Sequence, residues 1–217
     1  MKDHRWIERW EKTLKAIKSI GGEVNELTIG KRASLEEVLK VENNLGYKLP
    51  ECFRQVLLEF SSKVDFYWSL EDTIELPNEL EDIFDGNCNW NINNICEINE
   101  EKNDWVKNCF SNEHNEYDRV WHNKLAFLEV GNGDYIAFDL KNYPSKTPVV
   151  YLSHDDGEGH GYILGDNFID FMDRWTKLGC PGTECDQMVP FVKSKLSGID
   201  PNCENGQKWR ELIGLDI

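Results

Sequence analysis

Four strand-like runs stand so close together in the middle of this chain that only one kind of sheet can join them. They are KLAFLEV (residues 124–130), DYIAFDL (134–140), PVVYLSH (148–154) and GYIL (161–164). Each is rich in the β-branched and aromatic residues that suit a pleated surface. The connectors are Gly-Asn-Gly, KNYPSKT and DDGEGH. A parallel pair needs a crossover of about a dozen residues or more, whereas antiparallel neighbours need only a turn. The section is therefore expected to form an antiparallel sheet.

The first connector has a second reading, because VGNGDYIAFDL could be a glycine loop that holds a phosphate. Such a loop needs a helix directly after it, whose free N–H groups face the anion. A strand follows here. Asn132 and Gly133 both tolerate positive φ, so the segment is read as a hairpin turn.

Helical patterns flank the sheet. Trp6, Trp10, Leu14 and Ile17 share one face of an N-terminal helix that ends at Gly21-Gly22. Ser34 and Glu37 form a capping box ahead of a helix with Leu35, Val38, Leu39 and Leu45 as its apolar face, and Gly46 stops it. Pro50 opens another helix with Phe53, Val56, Leu57 and Phe60 inward. VDFYWSL (64–70) reads as a strand, DGNCNWNINN (85–94) as turn-forming sequence and INEEKNDWVKNCF (98–110) as a helix. After the sheet, Phe168, Phe171, Met172, Trp175 and Leu178 mark a helix starting near Asp166 or Asn167. A linker with a short helix follows, and then a last helix with Trp209, Leu212 and Ile213 inward.

Forty acidic residues against 24 basic ones give a net charge of -16. That balance argues against nucleic acid, which requires a basic face to displace counterions, and against anionic membrane surfaces. It favours a partner of basic surface, since a strong field of one sign speeds capture of the other. The charge is zoned. Glu71, Asp72, Glu75, Glu79, Glu81, Asp82 and Asp85 crowd one stretch, and residues 147–173 contain no Lys or Arg. The start of the chain lacks the apolar core of a signal peptide and no run of about 20 apolar residues occurs, so a cytoplasmic location is expected. The seven cysteines include no Cys-x-x-Cys pair, which points to reduced thiols, several of them buried, rather than zinc.

HDDGEGH is the one dense group of metal-ligand types: His154, Asp155, Asp156, Glu158 and His160. It has neither the His-Glu-x-x-His nor the calcium-loop spacing, and alternation at a strand end would turn its side chains apart. A solvated acidic turn is the favoured reading, a metal-dependent enzyme the minor one. No Gly-x-Ser-x-Gly elbow or recognisable nucleophile setting occurs. No catalytic residue, cofactor or metal is assigned.

The order of motifs is itself specific. ASLEEVLKVENNLGYKLPECFRQVLLEF resembles the opening signature of the SUKH superfamily. LAFLEVGNGDYIAFDL resembles its central hairpin, PVVYLSHDDGE its next strand and acidic turn, and DNFIDFMDRW its closing helix. GCPG and IDPNCENGQKWRELIGL are similar to an extension of some bacterial members. Ser61-Ser62 stands where the superfamily often has Asn-Gly, and the acidic segment 70–116 does not align.

The resemblance implies an α+β protein that acts by binding, without a cofactor. The superfamily contains fungal cell-wall-synthesis regulators and bacterial immunity proteins that block a cognate toxin, often a nuclease. The expected architecture is a central antiparallel sheet of about four to six strands flanked by N-terminal and C-terminal helices. Residues 1–180 would form the SUKH-like domain and residues 181–217 a helical extension packed on it. The expected function is stoichiometric neutralisation of a basic-surfaced toxin, with an adaptor of cell-wall synthesis or signalling as the alternative. Candidate contacts are Asp155, Asp156, Glu158, Glu71 and Asp72, with Trp68 and Trp90 as aromatic anchors.

Overall fold

The computed structural model describes residues 4–155 and 157–216. Helix α1 (His4–Ser19) buries Trp6, Trp10 and Ile17. The indole N–H of Trp6 donates to Asp173 Oδ1 at 2.8 Å, and Arg9 donates to Thr176 Oγ1 at 3.0 Å. Both ties fasten α1 to the end of a later helix. Two short strands follow, β1 (Glu23–Val24) and β2 (Thr28–Ile29).

Helix α2 (Leu35–Leu45) starts at the expected capping box, with Glu37 N–H donating to Ser34 Oγ at 3.2 Å, and stops at Gly46 with φ of 80°. Its buried face differs from the expected one. Val38, Val41 and Glu42 are buried, whereas Leu35 and Leu39 are 54% and 43% exposed. The physical reason is Glu42, whose Oε1 accepts from Leu49 N at 3.0 Å and Arg54 Nε at 3.1 Å. That polar anchor turns the helix so that Leu35 and Leu39 face water. Helix α3 (Glu51–Glu59) buries Phe53, Val56 and Leu57 as expected. The following turn is built on Ser61, whose Oγ donates to Gly30 O at 3.0 Å and accepts from Lys63 N at 3.2 Å. A buried hydroxyl there takes up the turn's backbone groups.

Strand β3 (Lys63–Ser69) carries β1 and β2 along one edge and β4 (Asp85–Asn91) along the other, all antiparallel. The Asn-rich stretch read as turns is thus a strand. Gly86, Cys88 and Trp90 face inward while Asn87, Asn89 and Asn91 lie on the other face, which is the period-2 pattern of a half-buried strand. Glycine is required at position 86, because a Cβ there would overlap the indole of Trp68.

Helices α4 (Ile95–Asn108) and α5 (Asp118–Trp121) separate this sheet from a second one. The second has the order β5 (Lys124–Glu129), β6 (Tyr135–Asp139), β7 (Val149–Leu152) and β8 (Ile163–Gly165), every pair antiparallel. The hairpin between β5 and β6 turns at Gly133, with φ of 95°. The class is α+β as expected, but the strands divide into two four-stranded sheets rather than one.

Alternation in the second sheet sends side chains to two cores. Leu125, Phe127, Ile136, Phe138, Val149 and Tyr151 join the main core. Ala126, Tyr135, Ala137, Val150 and Leu152 join a smaller cluster with Phe110 and Trp121, beneath α4 and α5. Both faces are covered, which explains why these strands read as nearly continuous apolar runs. Helix α6 (Phe168–Trp175) is capped by Asn167 and closes the main core. Met188 of α7 (Cys185–Met188) and Trp209 and Ile213 of α8 (Glu204–Ile213) enter the same cluster. All seven cysteines are free thiols, and Cys88, Cys180 and Cys185 are buried. No described helix is long and apolar enough to cross a membrane.

Candidate partner-binding surface

The connection after β7 is built on Ser153. Its Oγ donates to Asp155 Oδ1 at 2.7 Å and accepts from Gly157 N at 3.1 Å. Its N–H donates to His160 Nδ1 at 3.0 Å, so that nitrogen carries no proton and the ring N–H is at Nε2, 3.1 Å from the Tyr117 carbonyl oxygen. The Ser153 hydroxyl holds the Asp155 carboxyl below its ordinary value. Asp155 and Glu158 remain exposed. Asp156 lies outside the described residues.

Asp134, on the hairpin between β5 and β6, anchors this turn from below. It is 1% exposed. One carboxylate oxygen accepts from Tyr151 Oη at 2.7 Å and Asn132 Nδ2 at 3.1 Å. The other accepts from His154 N at 2.8 Å and lies 2.6 Å from His154 Nδ1. A buried carboxylate with this many donors is satisfied. Burial, and then the adjoining Asp134, push the Tyr151 hydroxyl far above its ordinary value.

The second acidic stretch follows β3. Glu71, Asp72, Glu75, Glu79, Glu81 and Asp82 are all exposed. Residues 181–187, read as linker, join the two stretches. Gly182 N–H donates to Asp85 O at 2.9 Å, and Gln187 Nε2 donates to Asp82 O at 3.2 Å and Asp85 Oδ1 at 2.8 Å. On its other side, Gly159 N–H meets Cys185 Sγ at 2.9 Å. The charges register this closeness. Glu184 is raised first by burial and then by repulsion from Asp85, Asp134, Asp186 and Asp82. The Cys185 thiol is pushed up to about 11, mainly by burial, with Asp186, Asp134 and Glu158 adding to it.

Sequence reasoning missed Asp134, Glu184 and Asp186. A signal existed for the 181–187 segment: Glu184 and Gln187 have capping-box spacing, and Gln187 Oε1 accepts from Glu184 N at 3.1 Å. The two tryptophans need correction. Trp68 is 0% and Trp90 2% exposed, so neither offers a surface. Trp68 donates to Gly179 O at 2.8 Å and stacks on Trp209, while Trp90 donates to Ser61 O at 3.1 Å. Their indole N–H groups are satisfied by backbone inside the core, which is where such large apolar rings gain most. Asp155 and Glu158 share the turn, Glu71 and Asp72 lie at the far end of the other stretch, and nothing in the described contacts joins the two pairs directly.

The metal-ligand types of this turn do not all converge. His160 is turned toward Ser153 and Tyr117. Ligand atoms of Asp134, His154 and Asp155 lie within 4.8 Å of one another. The 2.6 Å contact of His154 with Asp134 is a hydrogen bond, and the remaining Asp134 acceptor sites hold other donors. Asp134 and His154 are thus joined by hydrogen bonds, while the exposed Asp155 accepts from Ser153.

An α+β scaffold with a capped α2, the β5–β6 hairpin, an acidic turn after β7 and the closing helix α6 spans the same residues as a known family model. That model, the SMI1 / KNR4 family (SUKH-1), matches residues 32–174. The chain belongs to this family. Its members are in general non-catalytic immunity or regulatory proteins, and membership supports an immunity-like or SMI1/KNR4-type function and interaction with a toxin partner in general. Helix α1, the 181–187 segment and α8 lie outside the matched residues. No curated protein matches the chain.

Proposed function

We propose that this SUKH protein is an immunity protein that binds and neutralises one cognate toxin of basic surface, of the nuclease type, by occluding it stoichiometrically. The observation that carries the reading is the 181–187 segment. It bonds to both Asp82–Asp85 and Gly159, and this closeness of stretches far apart in sequence supports reading their carboxylates as one acidic face. We assign Asp82, Glu184, Asp186, Asp155 and Glu158 to that face, and Asp156 from its sequence position. A face of one sign costs self-repulsion of about 1 kcal/mol per close pair even in bulk water. A basic partner relieves that repulsion. An interface of usual size covers about 800 Å² on each side.

The test is capture of the partner from the source cell across a salt series, followed by co-expression. The reading expects one stoichiometric basic protein, released as salt rises, whose toxicity to a host this chain suppresses. Several weakly held wall or signalling proteins with no salt dependence would contradict it and favour the adaptor role. The cytoplasmic location expected from sequence belongs to the same proposal.

A further inference from the structure

A cleft of about 930 Å³ opens between the end of α2, α4 and the start of β5. Its wall includes Lys102, Lys124, His122 and the amides of Asn44, Asn99, Asn103 and Asn123, with the half-buried Tyr47 and Tyr143 as aromatic surfaces. Glu100 is the one carboxylate among the described residues that line it. In a chain of net charge -16, this is a local inversion of sign.

Lys102 is the unusual group. It is 2% exposed, and its Nζ donates to Asn103 Oδ1 at 2.6 Å and to the Lys124 carbonyl oxygen at 2.9 Å. Both acceptors are neutral, and an ammonium has a third N–H to place. The other shielded cations all meet carboxylates: Arg9 with Asp173 at 3.5 Å, Arg54 with Glu42 at 3.1 Å and Lys124 with Asp139 at 3.1 Å. Among the described residues Lys102 has no such partner. Burial, with Lys124 adding repulsion, lowers its ammonium to about 8.

Holding an uncompensated charge out of water is destabilising, and an apolar residue of similar length would serve packing better. The charge makes sense if something else completes it. We propose that the cleft binds a small oxyanion, a phosphate or a carboxylate group, against Lys102 and Lys124. Ligand pockets typically enclose about 300–1,000 Å³, so the cleft has room for a compact anionic metabolite rather than a bare ion alone. Lysine is a point charge that accepts either group. The site is separate from the acidic face, so it stands or falls independently of toxin binding.

The test titrates the intact protein with inorganic phosphate and, separately, with succinate, against sodium chloride of matched ionic strength. Thermal unfolding and backbone-amide NMR are the two readouts. The proposal expects saturable stabilisation by at least one anion, with amide shifts concentrated at residues 99–103 and 122–124. The anion that saturates distinguishes phosphate from carboxylate chemistry. Lys102→Met should fold and bind at least tenfold more weakly. Absence of saturation with both anions, shifts centred elsewhere, or undiminished binding by Lys102→Met would overturn it. Should Lys102→Met fail to fold, the wild-type shift map decides alone.

Discussion

His154 Nδ1 lies 2.6 Å from the Oδ1 of Asp134, and the His154 backbone N–H meets the same oxygen at 2.8 Å. Residues 20 apart in sequence thereby lock the β5–β6 hairpin to the turn that carries Asp155 and Glu158. Asp134→Ala would strand the buried Tyr151 hydroxyl and leave the part-buried His154 N–H without its acceptor. Each orphaned buried donor costs about 1–3 kcal/mol, so the expected loss is about 3 kcal/mol in urea unfolding. Faster hydrogen exchange should appear at residues 153–160.

Tyr151→Phe removes a single bond to the same carboxylate, which keeps its other donors. The expected loss is about 1 kcal/mol, clearly smaller than for Asp134→Ala, and equilibrium unfolding of the two variants checks the order.

Gly86→Ala tests the contact between β4 and the Trp68 ring. The added methyl overlaps the indole, which is held by Gly179 O and stacked on Trp209. Overpacking of this kind costs about 1–3 kcal/mol or more. Thermal unfolding should show a lowered midpoint, with a change in tryptophan fluorescence.

The face of α2 gives a paired prediction. Leu35→Ser with Leu39→Ser changes exposed positions and should move stability by no more than about 0.5 kcal/mol each. Val38→Ala, at a fully buried position, should cost more than the leucine pair together. The opposite order would restore the face inferred from apolar spacing.

Lys102 imposes a pH dependence. Its folded ammonium titrates near 8, against 10.5 as the ordinary value. Between those pH values the unfolded chain binds a proton that the folded chain does not, so this group's contribution falls as pH drops through that window and is flat below it. Lys124, with Asp139 beside it, acts on the group directly, and Glu100 and His122 line the same cleft. Lys102→Met removes the term. Its stability advantage over the wild type should therefore grow from pH 10.5 to pH 8 and then level off, as measured by denaturant unfolding at each pH.

Local signals in the sequence were strong where one short motif decides the backbone. Asn132-Gly133 placed the hairpin, Ser34 and Glu37 the start of α2, and the apolar spacing of Phe168 to Trp175 the closing helix. They failed where a distant group decides. Glu42 turns α2 only because Arg54 and the Leu49 amide reach it. Strand β4 is recognisable only beside β3, since glycine and asparagine carry little strand preference of their own. Trp68 and Trp90 are core residues because backbone carbonyls of Gly179 and Ser61 wait for their N–H groups. Of the proposed acidic face, the exposed carboxylates were readable by composition. The joining role of the 181–187 segment was not, because its bonds to Asp82 and Asp85 span roughly a hundred residues.

The most direct test of the account reverses charge on that joined face. Asp82, Asp155, Glu158 and Asp186 would be changed together to lysine, and binding to the captured toxin measured across a salt series by calorimetry. Rim charges alter association and its salt dependence more than packing. The account predicts that the variant folds, that affinity falls at least a hundredfold at low salt, and that the salt slope of binding flattens. A variant that folds and binds with unchanged affinity and unchanged salt slope would contradict it.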